Sequence, residues 1–181
     1  DIVPLKYSSV PQIQYGFAQE FNYKNWNVSV LFEGVARVNY TVGGAGYIPF
    51  INKETGNILT IVGDQRNRWT SRDISGDPST ENPNAKFPRL SYGANNNNDQ
   101  ASTFWLRDGS YVRLKYIQIS YLLKKPWMQA IGMSSATISL IGDNLWIWDK
   151  GDKIFDPAQA SGNGATYPLQ RVFSLQVNVS F

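Results

Sequence analysis

The chain has 181 residues, no cysteine and no histidine, a formal net charge of +3, 14% aromatic residues and only 17% charged ones. Those absences remove disulfides, thiolate nucleophiles, Cys/His metal centres and His-based acid–base catalysis, and the aromatic content excludes a disordered tail. Lys and Arg are scattered without the dense basic stripe that nucleic-acid binding requires, so no nucleic-acid partner is expected.

No apolar run approaches the roughly 18 residues of a membrane-crossing helix, although a β-barrel leaves no such run either. The sequence opens at Asp1 with neither an initiator Met nor a signal-peptide pattern. From Ile13 the odd positions read Ile13, Tyr15, Phe17, Gln19, Phe21 and Tyr23, while the even positions are polar or small. That period of two predicts a strand with one aromatic face. A tight turn follows at Lys24–Asn25. The returning strand puts Trp26, Val28, Val30 and Phe32 on one face, and Asn27, Ser29, Glu33 and Arg37 on the other with Leu31 and Val35.

From about Asn39 to Gly109 the alternation dissolves into turn chemistry: Gly43–Gly46, Asp77–Pro78, Asn82–Asn84 and the run Asn95–Asn98. A short strand is predicted inside it at Ile58–Val62. A connection this long points to a functional or mobile segment.

Regularity resumes at Ser110, where Val112 and Leu114 oppose Arg113 and Lys115. Beyond Tyr116 the apolar parity moves to Ile117, Ile119 and Tyr121, which requires either a β-bulge or a strand apolar on both faces. A short connection with one helical turn is expected over Lys124–Ser134. Another strand follows from Ala136 to Trp148, with Ala136, Ile138, Leu140, Trp146 and Trp148 on one side. Residues 149–169 read as loop. Finally Phe173, Leu175, Val177, Val179 and Phe181 alternate strictly with Ser174, Gln176, Asn178 and Ser180.

This makes about five long strands, each able to supply the roughly 9–11 residues of a tilted membrane strand. Every Lys, Arg and Glu on them falls opposite the apolar set, as expected where a lipid-facing cation costs roughly 2–4 kcal/mol at the midplane. Short and long connections alternate, which predicts periplasmic turns at Lys24–Asn25 and 124–135 and extracellular loops at 39–109 and 149–169. Five strands do not close a barrel, so the expected class is all-β: an incomplete antiparallel transmembrane β-barrel segment, the C-terminal portion of a larger wall.

The segments Asn82–Leu90, Ser102–Lys115, Gly142–Leu145, Phe155–Pro157, Tyr167–Leu169 and Phe173–Phe181, in that order, resemble the SusC/RagA-type TonB-dependent outer-membrane transporters. The resemblance implies a plugged barrel in the outer membrane of a Gram-negative bacterium, with the plug and the segment that contacts the TonB complex lying outside this chain. It further implies a SusD-like surface lipoprotein as lid and oligosaccharides or peptides as substrates of active nutrient uptake. The terminal alternation of Phe173, Leu175, Val177, Val179 and Phe181 resembles the signal read by the barrel assembly machinery. No enzyme activity and no cofactor are expected.

Other motifs carry less. The aspartates 143, 149, 152 and 156 lack the ligand spacing of an EF-hand loop, so no metal site is expected. Gly43–Gly46 lacks the Lys-Ser/Thr ending of a phosphate loop. Asn27-Val28-Ser29 and Asn178-Val179-Ser180 match the glycosylation tripeptide inside predicted strands. Trp69, Tyr92 and Trp105 in the long loop are the candidates for contact with ligand or lid, against packing of the loop on itself. Arg113 and Lys115 are the lumen-facing candidates, either lining a transport path or pairing with neighbouring carboxylates. The alternative reading is a soluble β-sandwich that binds carbohydrate through loop aromatics.

Overall fold

The structure is a computed structural model that describes residues 7–53, 58–151, 156–159 and 167–181. It contains seven strands: β1 (Ile13–Tyr23), β2 (Trp26–Ala36), β3 (Asn39–Thr41), β4 (Leu106–Asp108), β5 (Tyr111–Leu123), β6 (Ser135–Asp149) and β7 (Val172–Ser180). The five long strands form one antiparallel sheet in the order β1-β2-β5-β6-β7, and β3 pairs with β4 in a second, two-stranded sheet. This all-β meander is the predicted class, with five long strands and no closure among the described residues. A sandwich needs a second sheet of comparable size, and β3 with β4 is too small to be one.

The chain divides into two compact units. The sheet unit comprises residues 7–39, 108–157 and 168–181, and the loop unit is built on residues 40–107. In the sheet unit the first hairpin closes at Lys24, whose φ of 53° supplies the left-handed turn that matches strand twist. Arg37, predicted within β2, lies just past its end with φ 54°.

The parity change in β5 is a bulge. Leu114 pairs with Phe32 and Tyr116 with Leu31, leaving Lys115 as the extra residue. On the other side Leu114 pairs with Trp146 and Tyr116 with Asp143, so that Lys115 lies opposite Asn144 and Leu145 of β6. Asn144 absorbs the irregularity on β6 with φ 53°. One added residue returns Ile117, Ile119 and Tyr121 to the face of Val112 and Leu114, so β5 keeps one apolar side. The tight connection between β5 and β6 carries a short helix at Pro126–Ala130, as expected.

The loop unit has its own core of Val42, Tyr47, Val62, Phe87 and Trp105, all buried. The strand predicted at Ile58–Val62 is not formed; Thr60–Gly63 make one helical turn. Val62 N–H donates to Leu59 and Asp64 N–H to Thr60, so local bonds satisfy a backbone that has no ladder to join.

Candidate functional site

In a water-soluble sheet the apolar face is covered and the polar face is wet. Here the arrangement is inverted. Phe17, Phe21, Trp26, Leu140, Trp146, Phe173 and Leu175 are exposed, whereas Arg113, Ser120 and Ser139 of the opposite face are buried. Cross-strand rows on the apolar face sort by type. One end row is Tyr23, Trp26 and Tyr121; the middle rows hold Val28, Ile119, Leu140 and Leu175, and Val30 and Ile117; the far rows hold Phe17, Phe32 and Trp146, then Tyr15 and Trp148. Within the five long strands no ionisable side chain other than tyrosine falls on this face; just before β7 the Arg171 guanidinium lies over the Trp146 ring at 5.8 Å, at the end of the face.

The polar face satisfies its own groups. Ser120 and Ser139 hydroxyls lie 2.9 Å apart across β5 and β6, and Gln118 Nε2 donates to Ser120 Oγ at 2.8 Å. Nearer the 149–157 loop stands an ion cluster. Arg113, only 2% exposed, pairs with Asp156 through Nη2 and approaches Glu33 Oε1 at 3.9 Å through Nη1. Lys115 Nζ, raised beside it by the bulge, lies 3.6 Å from the same Glu33 oxygen. Arg113 also stacks over Tyr111 at 5.1 Å. The two cations named from the sequence thus share one polar face and one carboxylate, and Asp156 is a partner that sequence spacing did not reveal.

The loop unit holds a cleft of about 650 Å³, whose lining includes Trp69, Asn82, Arg89, Asn95, Asn97 and Phe104. Of the three loop aromatics named from the sequence, only Trp69 lines it. Tyr92 is exposed elsewhere on the unit and donates its hydroxyl to Lys53 O at 2.6 Å. Trp105 requires correction: it is 2% exposed, with its indole N–H donated to Asn98 O at 2.7 Å, so it cannot stack on a ligand. Its neighbour Phe104, packed edge-on against it at 5.0 Å, presents the second aromatic surface.

Both walls of the cleft are fixed by buried groups. Trp69 N–H donates to Phe87 O and Phe87 N–H to Asn67 O, each at 3.0 Å, which locks residues 67–69 against 87–89. Arg68, buried behind them, donates to Pro88 O at 2.9 Å and to Val62 O. Burial lowers the pKa of its guanidinium below the usual value, though an arginine remains cationic near neutrality. The opposite wall is the turn Asn95–Asn98, where Asn95 Oδ1 accepts from the N–H groups of Asn97 and Asn98. Read from sequence as turn chemistry, this run also carries the acceptor for Trp105.

Among the described residues no cluster of potential metal ligands occurs. Asp152 of the aspartate tract and Phe155 of the family-like motif lie outside the described residues. Phe173, Leu175, Val177 and Val179 share the exposed apolar face of β7, and Phe181 follows the strand end, exposed.

No protein-family model matches the chain. It is 28% identical over 189 residues to TonB-dependent receptor P26 of Formosa agariphila, an alignment covering 96% of this chain and 17% of that protein. TonB-dependent receptor P3 of the same organism is 23% identical over 186 residues, covering 94% and 16%. Among solved structures, the RagAB peptide transporter superposes with a TM-score of 0.68 at 21% identity over 98% of this chain and 18% of that one. The RagAB peptide importer in its open-open state gives 0.67 at 20% identity with the same coverage. The chain matches a segment of a TonB-dependent receptor, SusC/RagA-like in its fold. It spans about a sixth of the length of its curated relatives. The relatives it resembles are named as receptors and transporters rather than enzymes.

Proposed function

We propose that this chain is part of the outer-membrane barrel wall of a TonB-dependent nutrient importer, with the apolar face in lipid and the polar face toward the lumen. The observation that carries the reading is the inverted sheet, with uncharged apolar side chains outside and a paired ion cluster inside. Tyr121 and Val112 are about 30 Å apart along β5 at ~3.3 Å per residue. A tilt of ~40° reduces that to roughly 23 Å, close to the ~25 Å apolar band of such barrels, and the aromatic end rows suit interfacial girdles.

In this reading residues 39–109 and 149–169 face the outside and the Lys24–Asn25 turn faces the periplasm. Strands outside this chain cover the free edges of β1 and β7, because an unpaired backbone group in hydrocarbon costs several kcal/mol. Transport proceeds through a lumen whose plug is moved by TonB, and a SusD-like lipoprotein closes the outer mouth over an oligosaccharide or peptide. Arg113 and Lys115 face that lumen as a paired cluster with Glu33 and Asp156. The terminal strand residues Phe173, Leu175, Val177, Val179 and Phe181 present the signal for the barrel assembly machinery.

The test is topological. Asn84→Cys and Asn25→Cys are placed singly in the full-length receptor, and intact cells are treated with a membrane-impermeant maleimide. Labelling at 84 but not at 25 is expected, with 25 becoming reactive on permeabilisation. Labelling of both in intact cells, or of 25 alone, overturns the reading.

A further inference from the structure

We propose that the loop-unit cleft binds an acidic oligosaccharide, a sugar chain bearing carboxylate or sulfate groups. The inference deepens the import reading and rests on it for biological meaning, while the binding itself is measurable without it. A volume of about 650 Å³ falls within the size range of small-ligand sites. Trp69 and Phe104, 39% and 44% exposed, are flat apolar surfaces left uncovered inside a concavity. Such surfaces suit the C–H faces of sugar rings.

The polar lining is amide-rich and holds one cation. Asn82 Oδ1 already accepts from Asn84 N–H at 2.9 Å, and Asn95 Oδ1 accepts from two backbone N–H groups. Among the described residues the Nδ2 groups of Asn82 and Asn95 have no partner, whereas Asn97 donates its Nδ2 to Asn98 Oδ1. Arg89 is the one ionisable residue in the lining, and its guanidinium makes no ion pair or hydrogen bond among the described residues. The cleft therefore offers amide donors beside a cation with no carboxylate in the lining, which favours an acceptor-rich anion. Its walls are turns held by Arg68 and Trp105 rather than a free strand edge, the feature that extended peptides commonly use. That favours a saccharide over a peptide.

The experiment is calorimetric titration of the full-length receptor in detergent with four probes: trigalacturonate, a sulfated carrageenan oligosaccharide, maltotriose and hexaglutamate. At least one acidic sugar is expected to bind about tenfold or more tightly than maltotriose, the scale of one charge-assisted hydrogen bond. Comparing the two acidic sugars tells carboxylate from sulfate. Arg89→Gln removes that margin by weakening the acidic sugar far more than maltotriose, and Arg89→Lys restores part of it. Trp69→Ala weakens the acidic sugar about tenfold or more, whereas Trp69→Phe keeps it within about threefold, because stacking survives. Each variant is first shown to keep its folded, heat-modifiable band. Equal binding of neutral and acidic sugars, no binding of either acidic sugar, indifference to Arg89→Gln, or hexaglutamate binding as well as the sugars overturns the proposal. The maleimide result at Asn84→Cys stands apart from these titrations, so failure of the barrel topology and failure of the cleft are separately visible.

Discussion

Ser139 and Leu140 are neighbours on β6, yet the serine is 1% exposed and the leucine 54%. Water alone drives the opposite order, since burying a hydroxyl carries a desolvation cost and exposing a leucine forfeits roughly 1.5–3 kcal/mol. The serine is reconciled by its contact with Ser120. The barrel-wall reading reconciles the leucine, because it places that face in a solvent as apolar as itself.

That relationship predicts an asymmetric response on β7. Leu175 faces Leu140 in a middle row, and Gln176 faces Ser139 on the other side. Leu175→Arg places a cation near the midplane at a cost of about 2–4 kcal/mol, whereas Gln176→Arg meets the polar face. Heat-modifiable gel migration of the full-length receptor should show reduced assembly for the first and near-normal assembly for the second. Equal yields would count against a lipid-facing surface.

Removing charge from the buried cluster should cost more than removing the whole pair. Arg113→Leu takes the buried guanidinium away from Asp156, while Glu33 keeps Lys115, with an expected loss of about 3 kcal/mol. Adding Asp156→Leu to it should recover a substantial part of that loss. Denaturant unfolding of the four receptor variants provides the cycle, and strict additivity would show that Arg113 and Asp156 are energetically independent.

Trp105→Phe keeps the aromatic bulk but removes the donor to Asn98, with an expected cost of about 1 kcal/mol and earlier proteolytic cleavage at Asn95–Asn98. Deleting residues 95–98 should loosen the loop unit further by orphaning the buried indole N–H, while the heat-modifiable band of the sheet persists. Limited proteolysis followed by mass spectrometry separates these outcomes.

Acid should loosen the loop unit before it affects the sheet. Arg72 donates to both carboxylate oxygens of Glu81 and holds its pKa below the ordinary value; Arg66 does the same for Asp64. A carboxylate depressed in the folded state contributes stability that is fully present above its unfolded pKa. That contribution disappears as the pH falls through the lower, folded one. Hydrogen exchange over residues 64–81 should therefore accelerate below the normal carboxylate range, and Glu81→Gln should flatten the part of that response due to Arg72. An unchanged profile in Glu81→Gln would assign the acid sensitivity elsewhere.

The strand faces were legible because the side-chain period is strictly two and charges on the wrong side are so costly. The sequence pattern even marked the bulge, since a parity change after Tyr116 has few physical causes; choosing among them needed the pairing of Leu31 and Phe32 with β5. The loop unit was far less legible. Ile58–Val62 is apolar enough for a strand, but no neighbouring strand offers a ladder. Trp105 was indistinguishable from Trp69 in sequence, because burial of a loop aromatic is decided by distant partners such as Asn98. Arg89 and Phe104 carried no spacing signal at all, although Phe104 adjoins Trp105, and an aromatic pair in a loop commonly splits one side in and one side out.

The excursion between β2 and β5 leaves and returns through a single stem. β3 lies beside β4, and Val42 N–H donates to Trp105 O at 2.9 Å. A stem of this kind makes the intervening stretch a cassette. Its length and contents can be exchanged between related receptors at a small entropic cost, because the ends are already zipped together. A chimaera made by swapping residues 42–105 should carry the donor's ligand preference into an unaltered recipient wall.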